Sequence, residues 1–360
     1  MQVANPYIFK IKPYVPGKPI DEVKRELGLD SVIKLASNEN PYPPSPKVLA
    51  AMAKAGREIN RYPDGGCFVL RRALAKKLNI DDDHLIFGNG SDEIIVLAVK
   101  AFAAKGDDII IAKPSFLIYE IASILSGARL HQVPLKEFRY DLEAMKAKIN
   151  ARTRIIFIGN PDNPAGTYVT QRQVENFLRG VPKSTLVFFD EAYFEYVQAK
   201  DYPDTLNLMK KYPNVMTIRT FSKMYGLAGL RVGYGIANRE IIDILNRLRE
   251  PFNVNSMAQA AAVAVLGDEA YYRRIAKEVN EQRQYLYRSF ENRGISYEIS
   301  FTNFILVHVG GDSSQVARDL LKRGVIIRDM AVWGLKGYIR VSIGNASENK
   351  RFIKSLGEIL

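Results

Sequence analysis

Cysteine is almost absent from this 360-residue chain: Cys67 stands alone, so no intramolecular disulfide can form and a cysteine-built zinc site is excluded. Histidine is nearly as scarce. His84, His131 and His308 lie far apart with no metal-ligand spacing, which speaks against a zinc centre and leaves no metal to expect. No stretch approaches twenty consecutive apolar residues, and the N-terminal MQVANPYIFKIKPYVPGK has no long apolar run after its first charges. These absences lead us to expect a soluble chain in a reducing, cytoplasmic compartment. Low-complexity tracts and repeats of solenoid period are missing too, which argues against disorder and repeat arrays. Acidic residues are in deficit: 51 Lys and Arg against 39 Asp and Glu leave a net charge of +12. The basic residues are scattered, without the block or interleaved aromatics that nucleic acid would require, so a solvated basic surface is the plainer reading.

What is present is enough for a large core. Hydrophobic content of 47% over 360 residues suits an enzyme-sized globule of two domains. From about residue 75 to 250, helix-like segments alternate with the short apolar runs HLIF, DIIIA, RIIFIG, TLVFFD, VMTIRT and RVGYGIA. Runs of this kind, fed by intervening helices, indicate an α/β core with a mainly parallel sheet covered on both faces. After Pro251 the pattern changes to a long helical stretch near Ser256 to Arg293, then ISYEI, NFILVHV, a helix near Ser313 to Arg323, VIIRD and YIRVSI. We expect a large domain over residues 33–250, a smaller α+β domain over 251–360, and an arm over 1–32 packed on the smaller domain.

In open α/β sheets ligands bind beyond the carboxyl ends of the strands, so the residues after each apolar run carry the functional question. HLIF is followed by GNGSDE, which puts Gly90, Ser91 and Asp92 in a turn opening a helix; the backbone N–H groups there suit a phosphate, although Ser-Asp before an apolar helix is also an ordinary N-cap. RIIFIG is followed by NPDNPAG, with the Asn160 and Asn163 amides in a proline-stiffened loop. TLVFFD leaves Asp190 at the tip of an apolar strand, with Tyr193 three residues on. A carboxylate there needs a partner, either an arginine or a cationic ring nitrogen. VMTIRT leads into TFSKMYG, where Lys223 is flanked by Thr220, Phe221, Ser222, Met224 and Tyr225, none of them charged. An amine held away from water has a lowered pKa and spends more time in the neutral form that attacks carbonyls.

Taken together, GNGSDE, NPDNPAG, DEAY and TFSKMYGLAGLRVGYG resemble the motifs of the fold-type I, class I pyridoxal-phosphate aminotransferases, and the likeness spans nearly the whole chain. The resemblance implies a large domain with a seven-stranded, mainly parallel sheet and a smaller α+β domain. It implies that Lys223 forms a Schiff base with the cofactor aldehyde and acts as the general base, and that Asp190 pairs with the ring nitrogen. Asn163 and Tyr193 would bond the ring's phenolic oxygen, and Phe116 in KPSFLIY would stack on its face. Gly90, Ser91, Asp92, Thr220, Ser222 and Arg231 would hold the phosphate. Tyr62 in RYPDGG resembles a tyrosine that reaches the phosphate from the neighbouring subunit, which implies a homodimer. The chain departs from the family's more usual asparagine and threonine at Asp162 and Ala165.

SNENPYPPSP, RYPDGG and PFNVNS narrow the likeness to the branch that acts on histidinol phosphate, with glutamate and 2-oxoglutarate as the other couple in histidine biosynthesis. The resemblance places anion binding at Arg328 in VIIRDM and Arg340 in YIRVSIG, and a substrate contact at Tyr14. An aromatic-amino-acid aminotransferase or a threonine-phosphate decarboxylase would share every cofactor motif. A basic nucleic-acid-binding protein with a degenerate enzyme domain would explain +12, but it predicts an appended module or a lost lysine, and neither is seen.

Overall fold

A computed structural model of the chain describes residues 4–13 and 17–360, so Tyr14 lies outside the described residues. Seven strands form the main sheet: β1 (Leu85–Gly88), β2 (Asp108–Lys113), β3 (Arg129–Pro134), β4 (Thr153–Gly159), β5 (Leu186–Asp190), β6 (Val215–Thr220) and β7 (Gly233–Ala237). Their order is β1-β7-β6-β5-β4-β2-β3, parallel throughout except at β7, which runs antiparallel to β1 and β6.

The apolar runs are unbroken because both faces of the sheet are covered, and alternate residues go to different cores. Ile110, Ile156, Ile158, Val187 and Phe189 join one cluster, while Ile109, Ile111, Ile155, Phe157, Phe188 and Ile218 join another. β3 is the strand without an apolar signature in the sequence. It sits at the sheet edge with one neighbour and has only Val133 fully buried, so RLHQVP carries no continuous hydrophobic run.

The register aligns the functional ends. Gly159 at the end of β4 is level with Asp190 at the end of β5, and Thr220 at the end of β6 is paired with Gly233 at the start of β7. Helix α1 (Ser91–Phe102) follows β1 and helix α2 (Leu117–Ser126) follows β2, bringing their N-terminal residues to the same end.

A second sheet is antiparallel, with β8 (Phe304–His308), β9 (Arg328–Asp329) and β10 (Tyr338–Ser342) in the order β9-β10-β8. The run VIIRD divides between two sheets: Val325–Ile326 pairs in parallel with Ile33–Lys34, and Arg328–Asp329 pairs with β10. The long helical stretch expected from Ser256 is two helices, Ser256–Leu266 and Glu269–Glu291, interrupted at Gly267. The first of these packs on the helices Pro46–Ala55 and Phe68–Leu78. Of the N-terminal arm, helix Ile20–Leu27 sets Val23 against Ala36 and Ile326, whereas Pro6–Lys10 lies on α2.

The centre of the second core is a stack in which Phe157 faces Tyr119 at 4.7 Å with rings 5° from parallel and meets Phe188 at 5.0 Å. Phe157 is fully buried, so Phe157→Ala removes a ring whose neighbours belong to separate strands and helices. The expected loss is about 3–5 kcal/mol in the free energy of denaturant unfolding.

Candidate active site

A cavity of about 350 Å³ opens where the carboxyl ends of β4, β5 and β6 meet the second sheet. Its lining gathers Ser91, Asp92, Phe116, Asn163, Asp190, Tyr193, Thr220, Ser222, Lys223, Arg231, Arg328 and Arg340 from widely separated parts of the chain. Among the candidates, Gly90 is not part of the lining, although it packs beside Arg231, which is. Tyr62 does not reach it; that side chain is 83% exposed and stacks on Phe252 at 4.8 Å.

The turn before α1 is not an ordinary capped helix start. Gly90 occupies the N-cap with φ of 79° and offers no side-chain acceptor, so the first N–H groups of a twelve-residue helix face the cavity uncapped by any side chain. A Cβ on Gly90 would lie 2.3 Å from Arg231 Nη2, and one on Gly233 would lie 2.5 Å from the Ser91 nitrogen, so both glycines leave room that a larger residue would fill. Arg231 itself adopts the left-handed region at φ 54°, and its Nη2 is 3.4 Å from Asp92 Oδ2. Thr220 Oγ1 accepts a hydrogen bond from the Ser222 N–H at 3.0 Å, closing a tight turn beside the cavity.

Lys223 Nζ donates to the Ser37 carbonyl oxygen at 3.2 Å and lies 5.9 Å from the Tyr193 ring centre. Burial, reinforced by the Arg340 charge, lowers the Lys223 amine from the usual 10.5 to about 8. Asp190 is 7% exposed, and burial raises its carboxyl to about 6. Its Oδ2 accepts from the Tyr119 O–H at 2.6 Å and its Oδ1 from the Ala192 N–H at 3.0 Å. Among the described residues no lysine or arginine pairs with it. The nearby Arg219 instead takes the next residue, Glu191, at 2.8 Å.

Two donors are aimed by their other contacts. Asn38 Nδ2 donates to the Tyr193 hydroxyl at 3.0 Å, which leaves the phenolic proton to point elsewhere. Arg340 Nη1 donates to Asn163 Oδ1, so the amide nitrogen of Asn163 remains the donor. Arg340 also donates to the Ala36 carbonyl oxygen at 3.1 Å and lies over the rings of Phe304 and Trp333 at 5.2 and 5.8 Å. Arg328 stands directly opposite Arg340 across the β9–β10 ladder.

Sequence reasoning missed Tyr119, Asn38, Tyr140 and Trp333, all of which line the cavity. Tyr119 had a signal, since it follows Phe116 by three residues at the start of one helix. Asn38 lies in the quoted SNENPYPPSP but takes its role from Ser342 and Asn303, which hydrogen-bond its backbone from more than 260 positions away. Asp162 is 1% exposed, accepts from the Ala165 N–H at 3.0 Å, and is raised by burial to about 7. Elsewhere Asp81, Asp83 and His84 bring ligand atoms within 4.8 Å of one another; there His84 Nδ1 already contacts the Ala237 carbonyl oxygen at 2.7 Å.

The family described as aminotransferase class I and II matches residues 30–356. The histidinol-phosphate aminotransferase of Moorella thermoacetica is 51% identical to this chain over 98% of it and 92% of the relative. Histidinol-phosphate aminotransferase 2 of Carboxydothermus hydrogenoformans is 47% identical over 97% of each. The crystal structure of histidinol-phosphate aminotransferase from Sinorhizobium meliloti in complex with pyridoxal-5'-phosphate superposes with a TM-score of 0.91 at 28% identity, covering 100% of this chain and 98% of that one.

The lowered amine of Lys223 has a cost in stability whose pH dependence can be read. Between about 8 and the unfolded value of 10.5 the unfolded chain holds the proton and the folded chain does not, so stability rises with pH through that window and the penalty is complete below it. Lys223→Met should therefore stabilise the cofactor-free protein by on the order of 1–3 kcal/mol at pH 7, with the gain shrinking toward pH 10. Thermal denaturation of both proteins across that range is the measurement; a gain that grows with pH would contradict it.

Proposed function

The chain belongs to the class I and II aminotransferases, which work with pyridoxal phosphate, and from that membership we propose that it moves an amino group between histidinol phosphate and 2-oxoglutarate. Imidazole acetol phosphate and glutamate are the other members of the two couples, and histidine biosynthesis is the setting. What carries the reading is one cavity in which an amine kept from water faces two arginines opposed across a sheet. The choice of histidinol phosphate rests on the relatives at 51% and 47% identity.

The pocket suits the cofactor by its own chemistry. Uncapped N–H groups of α1, together with Thr220, Ser222 and Arg231, form a cradle for a phosphate, and the absent Cβ atoms of Gly90 and Gly233 keep it open. Buried Asp190, with no cation among the described residues, is a partner for a protonated ring nitrogen. When bound, the cofactor supplies a carbonyl carbon for amine exchange and a cationic ring that withdraws electrons from the substrate α-carbon. Lys223 is the residue that would hold the cofactor through Nζ, and the same amine, when free, would take the substrate α-carbon proton as general base. Lowered to about 8, that amine is about half neutral at pH 8, where an ordinary lysine is almost wholly charged. Asn163 and Tyr193 would donate to the phenolic oxygen, and Phe116, which also lines the cavity, would flank the ring.

Arg340 binds the anionic group shared by both half reactions, and Arg328 binds the second anion of the substrate. Residues 33–250 make the cofactor-binding unit and 251–360 the smaller unit that carries both arginines. Tyr62 serves the pocket of a neighbouring subunit in a homodimer. The exposed Ile59, Phe68 and Val69, at 70%, 57% and 65%, support an interface on that side. Among the described residues no helix is long and apolar enough to cross a membrane, and we place the enzyme in the cytoplasm.

Half-reaction kinetics with histidinol phosphate, glutamate and phenylalanine test the substrate assignment. Arg340→Ala should harm the phosphate substrate and glutamate alike. Arg328→Ala should harm those two more than phenylalanine, which lacks a second anion. A lost charge-assisted contact of about 1.5–3 kcal/mol corresponds to ten- to a hundredfold in kcat/KM. If Arg328→Ala leaves histidinol phosphate and glutamate untouched, the substrate site is misplaced.

Dilution tests the subunit assignment separately. Cofactor retention should weaken as dimers dissociate, followed by sedimentation and absorbance at matched concentrations, and a fully active monomer would exclude a shared site.

A further inference from the structure

Tyr119 has no part in the roles assigned so far, yet it makes the closest contact to the buried carboxylate. Its side chain is 1% exposed, its ring is stacked on Phe157 and meets Phe116 edge-on at 5.7 Å, and its O–H donates to Asp190 Oδ2 at 2.6 Å. The ring is thus clamped on two sides while the hydroxyl is free to serve one acceptor. Asp190 Oδ1 is held by the Ala192 N–H at 3.0 Å, so the carboxylate plane is defined by one backbone donor and one phenol.

We propose that Tyr119 is a positioning residue for Asp190, keeping that carboxylate ionised and aimed into the cavity so that it can hold the proton on the cofactor ring nitrogen. The proposal rests on Asp190 being the ring-nitrogen partner. The direction of the bond is secure, because burial and then the Asp190 charge raise the Tyr119 phenol well above its usual value and keep it a donor. Burial raises Asp190 toward neutrality, and the Tyr119 hydrogen bond is the largest influence opposing it. The other titratable groups that bear on Asp190 are Asp92, Asp162, Glu191, Tyr140 and Tyr193. The three carboxylates disfavour its charge, although Asp92 lies 3.4 Å from Arg231 and Glu191 2.8 Å from Arg219. Removing the phenol leaves one donor, and Asp190 then takes up a proton at higher pH. A neutral carboxylic acid cannot balance a cationic ring.

Equilibrium dialysis of pyridoxal phosphate against the reconstituted apoprotein at pH 6.5, 7.5 and 8.5 reads this without turnover. Tyr119→Phe keeps both ring contacts and should weaken retention relative to the parent on the order of tenfold at pH 6.5, with the deficit fading by pH 8.5. Asp190→Asn should weaken it at all three. Replacement of Tyr119 by 3-fluorotyrosine, whose phenol is the stronger donor, should move the profile to lower pH than the parent's. A Tyr119→Phe deficit equal at every pH, or none, would overturn the proposal and leave Tyr119 a packing residue. Parent-like retention by Asp190→Asn would instead overturn the ring-nitrogen assignment, and the proposal with it.

Discussion

A negative charge at the end of a buried strand is the constraint around which this molecule is organised. Asp190 follows Leu186, Val187, Phe188 and Phe189, all of them buried, and water is not available to solvate it. Its neighbour Glu191 faces the same difficulty and resolves it with Arg219, at 2.8 Å, together with Thr205. That pair is closed. Asp190 is stabilised by oriented dipoles instead of a cation, so its charge remains available to whatever enters the cavity. The two adjacent acids illustrate how environment, and not residue type, separates a carboxylate closed in an ion pair from one held by neutral donors.

Positive charge is concentrated on the opposite wall. Arg328 and Arg340 face each other across two strands, and the field of Arg340 helps lower the Lys223 amine. The two walls are joined mechanically through Asn38, itself in the left-handed region at φ 54°. Its backbone is bonded by Ser342 of the second sheet and by Asn303 just before β8, while its amide reaches Tyr193, three residues past the end of β5. Ser342 lies two residues from Arg340 on β10, so the strand that carries Arg340 also anchors the residue that bonds Tyr193.

Much of this was legible before any coordinates. Apolar runs ending in glycine, asparagine, aspartate or lysine motifs located six of the seven strands and the residues at their tips, because a sheet covered on both faces leaves its mark on consecutive positions. The seventh strand left no such mark, since an edge strand with one buried residue is chemically ordinary. The turn at Gly90 was legible only as a choice between an ordinary N-cap and a phosphate cradle; the structure adds that Gly90 sits at the cap position with positive φ and no side-chain acceptor.

Local chemistry is therefore what the sequence by itself determined: which residues carry charge, which runs must be buried, where turns open helices, and through motif likeness the family. Tertiary structure alone decided the partners. Tyr119 meets Asp190 across 71 positions, Asn38 meets Tyr193 across 155, and Asn163 meets Arg340 across 177. Hydrogen bonds between side chains that far apart depend on strand register and helix packing, which no local pattern encodes. The same burial that reads as plain hydrophobicity along the chain becomes, once folded, the reason the Lys223 amine is lowered to about 8 and the Asp190 carboxyl raised to about 6 in one cavity.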